Sequence, residues 1–163
     1  MKRTIFTSVS VIAIFAASSA MAQSNTSTVD QDATNSQAYV TQNGSSSSST
    51  IEQDGADNWA NVEQGNVIAA ASGNSAIVRQ TGTDTASIPA PDVPPANYEE
   101  GVSNYATVKQ DGNGGSVTVD QVGNNRADVT QQYTPGTGQT ATVDQTSDPL
   151  DGTQNYSSTN QRG

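Results

Sequence analysis

The sequence predicts an all-β protein: a β-solenoid of about ten 11-residue strand–turn units, two strands per coil, with a Pro-rich loop insertion. Three observations lead there. First, a glutamine stands two places after a β-branched residue at Val29/Gln31, Val40/Gln42, Ile51/Gln53 and Val62/Gln64, eleven residues apart each time. The pattern continues at Val78/Gln80, Val108/Gln110, Val119/Gln121, Val129/Gln131 and Val143/Gln145, and ends with threonine replacing the aliphatic at Thr159/Gln161. Second, the specified residues fall on alternate positions, the period of a strand with one constant face. Third, six units carry glycine two places past the glutamine, among them Gly44, Gly55, Gly82, Gly112 and Gly123, which supplies the turn that ends a strand.

Aligned on glutamine, a unit reads N-x-A-x-V-x-Q-x-G, most clearly at Asn58 to Gln64, Asn74 to Gln80, Asn104 to Gln110 and Asn125 to Gln131. The third position is small nearly throughout, from Ser27 and Ala38 to Ala141 and Ser157. β-branched residues at the centre favour extended backbone. An eleven-residue helical repeat would need apolar residues three or four apart, whereas each unit places Ala and Val two apart.

One unit buries little apolar surface, so units must stack. Two strands per coil lay unit n on unit n+2. One glutamine column then holds Gln31, Gln53, Gln80, Gln121 and Gln145, and the other Gln42, Gln64, Gln110, Gln131 and Gln161. The expected inward ladder also includes Asn58, Asn74, Asn104, Asn125 and Asn155, four of which (Asn58, Asn104, Asn125, Asn155) form one column. A buried amide needs partners for donor and acceptor, and identical amides stacked at the strand spacing supply them to one another. A flexible Gln/Asn/Ser-rich tail is the alternative, and it would not keep the glutamines in phase. Trp59 and Tyr39 fall at outward positions in this register.

Residues 1–22 read as a signal peptide. Lys2 and Arg3 precede an apolar run from Ile5 to Ala17, and Ala20-Met21-Ala22 has the small-x-small form of a cleavage site. The repeat region is then 23–163, with a Pro-rich insertion at 83–102, because proline cannot donate to a ladder. Losing Lys2 and Arg3 takes the formal charge from −10 to −12. So acidic a chain repels nucleic acid and anionic membranes, and the apolar run is too short for a stable membrane anchor. With no His and no Cys, most catalytic and metal-ligating constellations are excluded and no catalytic residue is nominated. No cofactor is expected. Asp111-Gly112-Asn113-Gly114-Gly115 has the flavour of a calcium β-roll turn but occurs once, without the ninefold period.

These residues resemble the curlin repeat family, whose units also run polar-x-small-x-aliphatic-x-Gln into a Gly/Asn turn. The resemblance spans Asn25 to Arg162 apart from the insertion. It implies a secreted subunit of extracellular curli-like fibres at the bacterial cell surface, self-assembling as a homopolymer, with roles in adhesion and biofilm. It further implies a homologous nucleator or major subunit and outer-membrane secretion machinery as partners. The inward Gln and Asn would be the polymerisation determinants. A soluble, capped β-solenoid adhesin or a minor nucleating subunit is the other reading, with the weakened end units at Ser27 and Thr159 serving as caps.

Overall fold

A computed structural model describes residues 11–14, 24–65, 71–82, 104–132, 138–147 and 155–162. The expected cleavage residues Ala20 and Ala22 and the insertion 83–102 lie outside these. Thirteen strands and no helix are found among the described residues: β1 (Val11–Ile14), β2 (Thr26–Thr34), β3 (Gln37–Gln42), β4 (Gly44–Ser45), β5 (Ser48–Ala56), β6 (Trp59–Gln64), β7 (Ala71–Ser72), β8 (Ser75–Thr81), β9 (Asn104–Gln110), β10 (Ser116–Val122), β11 (Asn125–Gln132), β12 (Thr140–Thr146) and β13 (Asn155–Arg162).

Every pairing is parallel. A 6-stranded sheet runs β1-β3-β6-β9-β11-β13, a 5-stranded sheet runs β12-β10-β8-β5-β2, and β4 pairs with β7 in a third, 2-stranded sheet. Consecutive strands therefore alternate between the two large sheets, and each strand lies on one from the preceding or following turn of chain. This all-β, two-sheet, parallel arrangement is compatible with a β-solenoid. Strand β1 is paired with β3, Val11 in register with Gln37 and Ile14 with Val40.

The repeat fixes the register. Val29 faces Ile51, Ile51 faces Val78, Val78 faces Val119 and Val119 faces Val143. A slip by one residue would turn every inward side chain outward, so the alternation pins it. Between the sheets, Ala38, Val40, Ala60, Val62, Ala106, Val108, Ala127 and Val129 from one side meet Ile51, Ala76, Val78, Val117, Val119, Ala141 and Val143 from the other in a single apolar cluster. Small and β-branched residues suit this thin core: they fill it without needing a second layer of side chains.

The corners explain one glycine in particular. Gly55 has φ +91°, and a Cβ there would meet the Gly82 carbonyl oxygen at 2.1 Å. Turns in successive layers pack backbone on backbone, which only glycine allows.

Candidate assembly site

Alternation sends the glutamine of each unit inward, and the parallel register then lays it on the glutamine of the next layer. In the 5-stranded sheet, Gln31 Nε2 donates to Gln53 Oε1, Gln53 to Gln80 at 2.8 Å, Gln80 to Gln121 at 3.0 Å and Gln121 to Gln145 at 3.0 Å. In the 6-stranded sheet, Gln42 donates to Gln64 at 2.8 Å, Gln64 to Gln110 at 3.0 Å, Gln110 to Gln131 at 3.0 Å and Gln131 to Gln161 at 2.8 Å.

Each amide has a second N–H, and in the interior layers it crosses to the other sheet. Gln53 Nε2 also donates to the Gln37 carbonyl, Gln64 to Ser48, Gln80 to Trp59, Gln110 to Ser75, Gln121 to Tyr105 and Gln131 to Ser116. Both donors are thus used, one along the stack and one across it. Gln64, Gln80, Gln110 and Gln121 can be fully buried on those terms.

The asparagines form a second ladder of opposite polarity. Asn104 Nδ2 donates to Asn58 Oδ1 at 3.0 Å, Asn125 to Asn104 at 3.3 Å and Asn155 to Asn125 at 3.1 Å. Here the donors point toward the N-terminal layers, whereas the glutamine donors point toward the C-terminal ones. Their other N–H groups reach the carbonyls of Asp54, Thr81, Val122 and Thr146 at the strand-to-strand corners. Asn74 differs from the ladder expectation. Its column neighbours are Ser47 and Gly115, so it bonds backbone instead, donating to the Gly112 carbonyl at 2.7 Å and accepting from Gly115 N–H at 2.8 Å. Gly115 has no room for a larger residue, since a Cβ would sit 2.6 Å from Gln131 Oε1.

The glutamine stack ends in an unpaired group. Because the donors all point one way, Gln31 Oε1 at the N-terminal layer is buried with no hydrogen-bond partner. At the opposite end the 5-stranded sheet closes on Gln145.

The outer faces carry columns that the glutamine spacing does not announce. On the 6-stranded sheet Trp59, Tyr105, Arg126 and Tyr156 follow one another in register. The Trp59 and Tyr105 rings stack at 4.4 Å with a 4° interplanar angle, Tyr39 tilts against Trp59 at 5.9 Å, and the Arg126 guanidinium lies 5.0 Å from the Tyr105 ring centre and 5.5 Å from that of Tyr156. Trp59 is therefore outward yet buried, 5 % exposed. Burial pushes the Tyr105 phenol above its ordinary pKa, against a smaller lowering effect of its hydrogen bond with Thr107. The signal for this column was in the second position of every other unit, read two units apart. On the 5-stranded sheet an outer column at the sixth position of the unit, just before the glutamine, is ionic: Asp30, Glu52, Arg79, Asp120 and Asp144. Arg79 bridges Glu52 at 2.9 Å and Asp120 at 3.1 Å, and the bond to Asp120 leads in raising its pKa.

The Asp111–Gly115 turn is used structurally, Asn113 Oδ1 accepting from the Ser72 N–H at 2.8 Å. Among the described residues no group of three or more His, Cys, Asp or Glu side chains is placed to hold a metal ion. No helix among them is long and apolar enough to cross a membrane.

Parallel strands stacked in two sheets and tied by amide columns define a β-solenoid-like repeat protein. Residues 22–55 and 100–123 match the family model of the curlin associated repeat, so these two segments are similar to that repeat. Proteins of that repeat family are curli-type amyloid subunits, a structural rather than an enzymatic class. Comparison with curated proteins and with solved structures gave no match.

Proposed function

We propose that this chain is a structural subunit of an extracellular curli-like fibre, wound as about ten strand–turn units and growing by addition of copies at its open strand edges. The observation that carries the reading is the glutamine stack itself. Its column in the 5-stranded sheet runs from Gln31 to Gln145 and that in the 6-stranded sheet from Gln42 to Gln161; the first stops at Gln31 with a buried acceptor unpaired, a group that a further glutamine donor would satisfy. Edge strands such as β2, β12 and β13 present unpaired backbone groups that template further strands. Cleavage after Ala22 would remove β1 and leave β3 as the matching edge of the second sheet. Adhesion and biofilm roles, a homologous nucleating or major subunit and an outer-membrane export apparatus follow from the family at the same level of proposal.

The test is assembly of purified residues 23–163. The expected result is thioflavin-positive fibres whose diffraction shows a meridional spacing of about 4.8 Å. Replacing Gln42, Gln64 and Gln110 by Ala should slow assembly far more than replacing the outward Thr41, Glu63 and Lys109. Equal effects would remove the amide ladder from the mechanism.

A second reading, a soluble capped solenoid adhesin, is favoured by one observation: β13 turns Ser157 and Thr159 to the face where its neighbour β11 has Ala127 and Val129. A persistent monomer that unfolds cooperatively, even with seeds present, would select it.

A further inference from the structure

The fibre reading gains a specific control point from the outer column of the 5-stranded sheet. Within the chain the order along that column is Asp30, Glu52, Arg79, Asp120, Asp144. A second copy continuing the same register places its β2 on β12. Gln145 then lies on Gln31 of the incoming copy, which offers the unpaired Oε1 a donor. The same step puts Asp144 on Asp30 of that copy, with its Asp32 beside Thr146. The column across the junction reads Arg79, Asp120, Asp144, then Asp30, Glu52, Arg79. Four acids stand in successive layers with no base among them, and Asp32 and Asp54 stand in the adjacent column.

We infer that the end-to-end junction is charge-gated: a second copy of this chain is accepted at β12 through the amide stack but opposed by Asp144 lying on Asp30. This makes copy addition, rather than folding of the chain, the step most sensitive to ionic strength. Inside the chain Arg79 relieves the column by bridging two acids. At the junction no base among the described residues stands in that column. Like charges a strand spacing apart in water are worth roughly a factor of five per pair, and salt screens them.

The inference rests on the fibre reading, and a charge-swap cycle tests it. Residues 23–163, each variant elongating seeds of its own kind, are compared as wild type, Asp144→Lys, Asp30→Lys and the double variant. At low salt each single variant elongates about tenfold faster than wild type, because the junction pair becomes attractive, and the double variant falls back well below the singles. High salt compresses all four to within about twofold. A double variant as fast as the singles would assign the effect to net charge and overturn the inference, leaving the fibre reading intact. Wild type that forms no fibre at any salt takes both down. Should a lysine variant fail to fold, Asp144→Asn against Asp57→Asn, which change net charge equally, still decides: acceleration confined to Asp144→Asn supports the junction, and equal rates sink it.

Discussion

The interior layers and the end layers are built from the same residue types and behave differently. Gln80 and Gln110 are at most 1 % exposed, whereas Gln31 and Gln161, on the edge strands of the same columns, are partly exposed. Val78 and Val108 are fully buried and Val29 is only partly so. Asn104 is sealed, but Asn155, one column position from Asn125, is exposed. No strand is intrinsically better than another; an interior strand has a neighbour on both sides and an end strand on one. Order in this protein resides in the layering, so an end is an unfinished interior.

The sharpest way to break that comparison is to remove one amide from each place. Gln110→Ala takes the donor from Gln131 Oε1, the acceptor from Gln64 Nε2 and the partner from the Ser75 carbonyl, all in a dry interior. Unsatisfied buried polar groups of this kind cost about 2–4 kcal/mol together. Gln31→Ala removes one bond on a partly exposed edge strand together with an acceptor that has no partner, and about 1 kcal/mol or less is expected. Urea unfolding of freshly prepared monomer compares the two. Equal losses would mean that the layers do not protect their amides differently.

A smaller effect separates the outer faces. Tyr105 is buried in the aromatic column, and burial holds its phenol above the ordinary tyrosine value near 10. The unfolded chain loses that proton at the ordinary value, while the folded chain keeps it to higher pH. The folded state then binds more protons, so stability is whole below about pH 10 and declines as pH rises through that window, with a slope of at most about 1.4 kcal/mol per pH unit. Tyr105→Phe should abolish that part of the alkaline decline. Denaturant midpoints measured across alkaline pH check it, and identical slopes in the two proteins would refute the buried phenol.

How much of this was legible in the sequence follows from which facts are periodic. The phase of Gln31, Gln53 and Gln80 is periodic, so the all-β class and the alternation of inward and outward residues could be read from spacing alone. The second N–H of each glutamine could not, because its acceptor is a backbone carbonyl of the other sheet, such as Gln80 to Trp59, and backbone carries no sequence label. Asn74 resembles the other first-position asparagines, yet its partners depend on what stacks above and below it. Those neighbours come from Ser47 and from Gly115, the latter beyond a nineteen-residue excess in spacing between Gln80 and Gln110. Trp59 read as outward, which holds; its burial is a property of the column, in which Tyr105 covers one ring face and Tyr39 packs against it. Single positions were legible and their coverage was not.

The least of the expected effects concerns Arg79, and it joins the interior to the ends. Its side chain is 47 % exposed, and its partners Glu52 and Asp120 are 50 % and 41 % exposed. Pairs so open to water usually contribute between about 0 and 1 kcal/mol. Arg79→Met deletes the one base of the column and leaves Asp30, Glu52, Asp120 and Asp144 in line on a single face. A loss of about 1 kcal/mol at low salt is expected, fading toward zero at about 1 M salt, where screening acts within roughly 3 Å. The aliphatic part of Met retains the packing of the arginine stem, so a loss that persisted at high salt would have to be one of packing and would show the column to be held by contact rather than charge. The salt dependence of unfolding in the two proteins therefore measures, inside one chain, the same repulsion that an unrelieved Asp144 would meet at its end.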